Sequence, residues 1–98
     1  MLSEDMFIMD TCKSTPGFEF YPRFSKKIDV SMLSKELQKK GYYLDKDGSP
    51  FFIDVNSSNG KITIFNSLKI LIKDQISEDV ARVLLKEVLS AINTILKD

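Results

Sequence analysis

Apolar residues recur along this chain with two different periods, and the switch between them outlines the fold. From Phe18 to Phe24 they alternate, with Phe18 and Phe20 on one side and Glu19 and Tyr21 on the other. Period two is the signature of a half-buried strand. Pro22 has no N–H to give a ladder, so this strand is expected to end there or to lie at a sheet edge. The period then changes. Asp29 is a good N-cap, followed by Val30, Leu33 and Leu37 at helical spacing, with Lys39 and Lys40 in the last turn and Gly41 as the stop.

Three punctuated strand candidates follow and lead into a fourth. Gly41–Leu44 runs to Asp47-Gly48, Phe51–Asn56 to Asn59-Gly60, and Lys61–Phe65 to Asn66-Ser67, before Lys69–Lys73. Asp-Gly and Asn-Gly between apolar runs are strong hairpin signals, so a meander is expected. Ser77 caps a last helix with Glu78 and Asp79 in its first turn, where the helix dipole favours acids. Ala81, Leu84, Leu85, Val88, Ile92, Ile95 and Leu96 form its apolar stripe, and Lys97 lies near its C-terminal end.

The expected order is β-α-β-β-β-β-α, an α+β domain over residues 18–98. A five-stranded antiparallel sheet would carry both helices on one face. Residues 1–17 end in the break Thr15-Pro16-Gly17 and are read as a loose tail or a short docked segment, with apolar Met6, Phe7, Ile8 and Met9 packing against something.

Composition narrows the chemistry. The 98 residues suit one domain with its own core. Lysine plus arginine and aspartate plus glutamate each number 14, so the chain lacks the basic excess of a dedicated duplex-DNA binder. The one cysteine, Cys12, allows no intrachain disulfide and suits a reducing cytoplasm. No apolar run approaches the roughly 20 residues that span a bilayer, so no membrane association is expected. Histidine is absent, which removes the commonest general base and the commonest metal ligand together. No nucleophile–base set, cofactor loop or metal cluster stands out, and the reading is non-enzymatic. Asp45-Lys46-Asp47-Gly48 resembles the opening of a calcium loop, but its twelfth position is Asn56 rather than glutamate, and a turn accounts for it. Glu19 and Asp54 share a face and read as surface acids.

Parity gives the site expectation. If Phe51, Ile53, Val55, Ile62, Ile64, Ile70 and Ile72 point to the helices, then Phe52, Asp54, Thr63, Phe65, Lys69, Leu71 and Lys73 lie on the other face, joined by Glu19 and Tyr21. With both helices on one side, that face stays open. The candidate binding residues are Tyr21, Phe52, Thr63, Phe65, Lys69, Leu71 and Lys73. Aromatics among lysines serve both nucleic-acid stacking and protein interfaces.

The stretch Ile64-Phe65-Asn66-Ser67-Leu68-Lys69-Ile70-Leu71-Ile72-Lys73, followed by Ser77-Glu78-Asp79, resembles a strand pair and helix start in one repeat of the TATA-box-binding protein family. The likeness in element order covers roughly residues 18–98. It implies a half-saddle whose sheet underside meets nucleic acid, with Phe65 as one wedge, Phe52 (or else Phe51) near the other, and Leu71 as a further groove-facing residue. Leu68 stands where that family carries glycine, so an altered turn is expected. Single units of this kind also occur as accessory modules and as small prokaryotic proteins.

The functional expectation is a binding module that contacts nucleic acid through the open sheet face. The alternative is a protein-interaction module, or a homodimer formed through the Phe18–Phe24 edge strand.

Overall fold

In the structure, a computed structural model, residues 1–11, 16–46, 50–57, 60–73 and 77–96 are described. After a 3-10 turn at Glu4–Met6 come β1 (Phe7–Thr11), β2 (Gly17–Pro22), α1 (Val30–Lys39), β3 (Tyr43–Lys46), β4 (Phe52–Ser57), β5 (Gly60–Phe65), β6 (Ile70–Lys73) and α2 (Glu78–Leu96). The α+β class, the two helices and the antiparallel sheet are as expected. The sheet has six strands rather than five, in the order β1-β2-β6-β5-β4-β3.

The sixth strand is β1. Phe7 pairs with Pro22, Met9 with Phe20 and Thr11 with Phe18, all antiparallel. β2 is therefore not an edge: β6 occupies its other side, from Gly17 opposite Lys73 to Phe20 opposite Ile70. This corrects the homodimer expectation, because both sides of β2 are taken. Pro22 is tolerated inside the sheet because the β2–β6 pairing ends at Phe20 and Pro22 pairs with Phe7 alone among the described residues. The apolar run Met6–Met9 looked ambiguous because its residues go different ways. Phe7 enters the core and meets Phe24 edge-on at 5.8 Å, Met9 packs against the core rim, and Ile8 stays 47% exposed on the other face.

Helix α1 ends as its sequence requires. The Asp29 carboxylate accepts the N–H of Ser31 at 2.9 Å. At the far end, Gly41 (φ +92°) donates to the Gln38 carbonyl and Tyr42 to the Leu37 carbonyl. This 5→2, 6→1 pair of bonds is a Schellman cap, which needs the left-handed glycine. α1 carries the chain from β2 across the sheet to β3 at the far edge, and the meander β3-β4-β5-β6 returns it beside β2. α2 starts where Val80 N–H approaches the Ser77 hydroxyl oxygen at 3.4 Å.

One core lies between helices and sheet. Phe18, Phe20, Ile53, Val55, Ile62, Ile64, Ile70 and Ile72 meet Leu33 and Leu37 of α1 and Leu84, Leu85, Val88 and Ile92 of α2. α2 also buries Leu89 and Ala91, which widens the expected stripe. Phe51 is corrected: it precedes β4 and is 64% exposed. Its carbonyl accepts the Asn66 N–H at 2.7 Å, which holds that stretch of backbone outside the core. Leu68 closes the β5–β6 hairpin with φ +73°, the left-handed conformation that glycine takes most readily. Cys12, Lys97 and the turn residues Asp47, Gly48 and Asn59 lie outside the described residues. Among the described residues no helix is long and apolar enough to cross a membrane.

Candidate binding face

Strand register arranges the helix-free face into three rows running across the sheet. Ile8, Tyr21, Lys69, Phe65 and Phe52 form the first row, fixed by the Ile8–Tyr21 and Phe65–Phe52 pairings and by the hydrogen bond of Phe65 N–H to the Lys69 carbonyl. Asp10, Glu19, Leu71, Thr63, Asp54 and, across a register irregularity, Lys46 form the second. Gly17, Lys73, Lys61, Asn56 and Tyr43 form the third. Rows are about 6–7 Å apart, two residues of strand rise.

The first row is a linked cluster. The Lys69 ammonium lies 5.2 Å from the Tyr21 ring centroid and 5.6 Å from that of Phe65. Phe65 and Phe52 are directly paired across β4 and β5, with ring centroids 5.8 Å apart and planes tilted by 44°. Both rings are half-buried, flanked by their sheet neighbours but with one side towards solvent. A lysine held over two aromatic faces within about 6 Å is a cation–π arrangement.

The second row has acidic positions on either side of an apolar middle and closes on Lys46 at the β3 edge, opposite Asp54. The Tyr21 hydroxyl donates to the Glu19 carboxylate, and the Thr63 hydroxyl donates to that of Asp54. Leu71 is half-buried between them. Thr63 is only 5% exposed, so its hydroxyl orients Asp54 and offers little surface to a ligand.

The third row holds a like-charge contact. Lys61 and Lys73 are direct cross-strand partners on the same face. Like charges directly opposite one another destabilise a sheet. Among the described residues the ion pairs are Arg82–Glu78 and Lys86–Glu4, so none of Lys61, Lys69 and Lys73 is in one.

All seven residues expected from the sequence stand on this face, and six of them are partly exposed. Sequence reasoning missed Ile8 and Asp10, because β1 was not recognised as a strand. It also missed Lys61, which parity with Thr63 would have supplied, and Tyr43, which only the β3–β4 register places opposite Asn56. Among the described residues, the N-terminal ones do not lie over the face. They extend the sheet sideways, and the first of them dock on α2, where the Asn93 amide accepts from Leu2 N–H at 2.7 Å and donates to the Leu2 carbonyl at 2.9 Å.

The free sheet edges are blunted. The outer strand β1 spends the Phe7 N–H on the Glu4 carbonyl and the Thr11 N–H on the Asp10 carboxylate at 2.8 Å. β3 carries a register irregularity between Leu44 and Lys46. Both devices discourage edge-to-edge pairing.

Elsewhere, Met1–Asp5 and the α2 residues Lys86, Leu89, Ser90, Asn93 and Thr94 line a cavity of about 720 Å³. Compared with protein-family models, with curated proteins and with solved structures, the chain matches none.

Proposed function

We propose that this chain is a non-catalytic binding module whose open sheet face takes single-stranded nucleic acid. The observation that carries this reading is the first row, where Tyr21, Lys69, Phe65 and Phe52 form one continuous aromatic–cation bed on the helix-free face. Bases stack on such rings with little regard to sequence, at roughly 1–3 kcal/mol each. Three lysines outside the ion pairs formed among the described residues, two of them opposed at a cost in stability, favour an anionic occupant. The likeness of residues 64–79 to a TATA-box-binding repeat adds to this reading, since it points to Phe65, Phe52 and Leu71. A single strand suits the face better than a duplex: stacking needs unpaired bases, and Asp10, Glu19 and Asp54 offset much of the lysine charge.

The test is fluorescence anisotropy of labelled 12-mer single-stranded DNA, RNA and duplex DNA across a salt series. The expected result is weak binding that prefers single strands, with a log–log salt slope no steeper than about −2, from three lysines at about 0.7 each. Phe65→Ala is expected to weaken it by roughly an order of magnitude, through lost stacking. Absence of single-strand binding, or wild-type affinity in Phe65→Ala, would overturn the reading.

A protein partner on the same face is the second reading. Ile8 and Tyr43, 47% and 78% exposed at opposite sides of the sheet, together with the balanced charge, favour it. If the partner is a second copy, sedimentation at high concentration should show association that Tyr43→Lys abolishes.

A further inference from the structure

The second row gives the face a means of choosing among bases. We propose that Glu19 and Asp54 select bases bearing an exocyclic amine, cytosine before uracil or thymine; this rests on the single-strand reading above. Asp54 follows Phe52 by two residues on β4, so its carboxylate belongs to the row about 6–7 Å from the stacking rings. Glu19 stands in the same relation to Tyr21 on β2. A base lying over Phe65 and Phe52 therefore presents its edge towards the second row.

An ionised carboxylate only accepts hydrogen bonds, and it has about four sites for them. One site on each acid is filled by a hydroxyl, Tyr21 on Glu19 and Thr63 on Asp54. These bonds hold the carboxylates in place and leave further sites free. Cytosine offers its N4 amine to such an acceptor, whereas uracil and thymine present the O4 carbonyl, acceptor against acceptor. Lys69 and Lys73, in the rows on either side of Glu19, supply the cations that phosphates would meet there.

The experiment compares dC12 with dU12, which differ at the base edge and not in the backbone, against the wild type, Asp54→Asn and Glu19→Gln. The expected result is that dC12 binds several-fold to tenfold tighter than dU12. Asp54→Asn should bring that ratio close to one, because an amide both donates and accepts. Equal wild-type affinity for both oligomers would overturn the selection while leaving the single-strand reading standing. Binding of neither would remove that reading itself. An unchanged ratio in both variants would show that selection does not come from these acids, and thermal melts of each variant confirm that the fold is retained.

Discussion

Leu68 sets two requirements against each other. Its φ of +73° costs an L-residue roughly 1–2 kcal/mol, while its side chain is fully buried. Phe65 C=O accepts the Leu68 N–H at 2.9 Å and Phe65 N–H reaches the Lys69 carbonyl at 2.9 Å, a three-residue hairpin whose third position is usually glycine. Burial of a leucine, worth about 1.5–3 kcal/mol, outweighs the backbone cost. Two variants separate the contributions in urea unfolding. Leu68→Ala should lose about 2–5 kcal/mol, as large-to-small core changes do. Leu68→Gly should be the more stable of the two, reversing the usual order, because it relieves the left-handed strain. Alanine proving the better substitute would contradict this. Leucine at a turn gives no signal of its own for positive φ; the glycine that the resembled family carries there implies an altered turn, whereas Leu68 adopts the left-handed conformation itself and is buried beneath the hairpin.

Tyr42 is the other residue whose role needed coordinates. Its hydroxyl donates to Glu87 of α2 at 2.6 Å, and burial, with help from that carboxylate, raises its pKa well above the ordinary phenol value. A raised pKa in the folded state means the bond contributes fully below the unfolded value of about 10 and is lost as pH rises beyond it. Tyr42→Phe should therefore cost about 1 kcal/mol near neutral pH. The gap from wild type should close only in alkaline solution.

At the scale of elements, the sequence was most legible where local chemistry decides. The Asp29 cap, the Gly41 stop and the Ser77 start lie where the spacing of apolar residues put them. It was least legible at β1, whose residues are strand only because β2 offers an edge to pair with. Phe7 and Ile8 point to opposite faces, and the short run between them and Asp10 carries no clear alternation. Gly17 marks the closest approach of β2 to β6: a Cβ there would stand 2.5 Å from the Ile72 carbonyl oxygen. Gly17→Ala should thus destabilise the protein by about 1–3 kcal/mol, through overpacking against backbone. Asn93→Ala should release the N-terminal residues from α2, seen as faster amide exchange at Leu2, while the β2–β6 amides keep their protection.

At the scale of the molecule, parity alone located the face, because buried isoleucines on β4, β5 and β6 leave one set of alternates for the other side. What it could not give was the order across strands. Only the pairing of β6 with β2 brings Tyr21 beside Lys69, and only β1 places Asp10 and Ile8 on the same surface. Charge balance reads as an argument against nucleic acid. On β2 and β6, Glu19 stands in one row while Lys69 and Lys73 stand in the rows on either side, a local separation that a net charge of zero conceals.

The most direct test of this account is an amide-shift titration of the uniformly labelled protein with a single-stranded 12-mer. The account predicts salt-sensitive, saturable shifts at Tyr21, Phe52, Phe65, Lys69, Leu71 and Lys73, with α1 and the outer side of α2 silent. Shifts confined to the helices, or silent strands at saturating oligonucleotide, would contradict it.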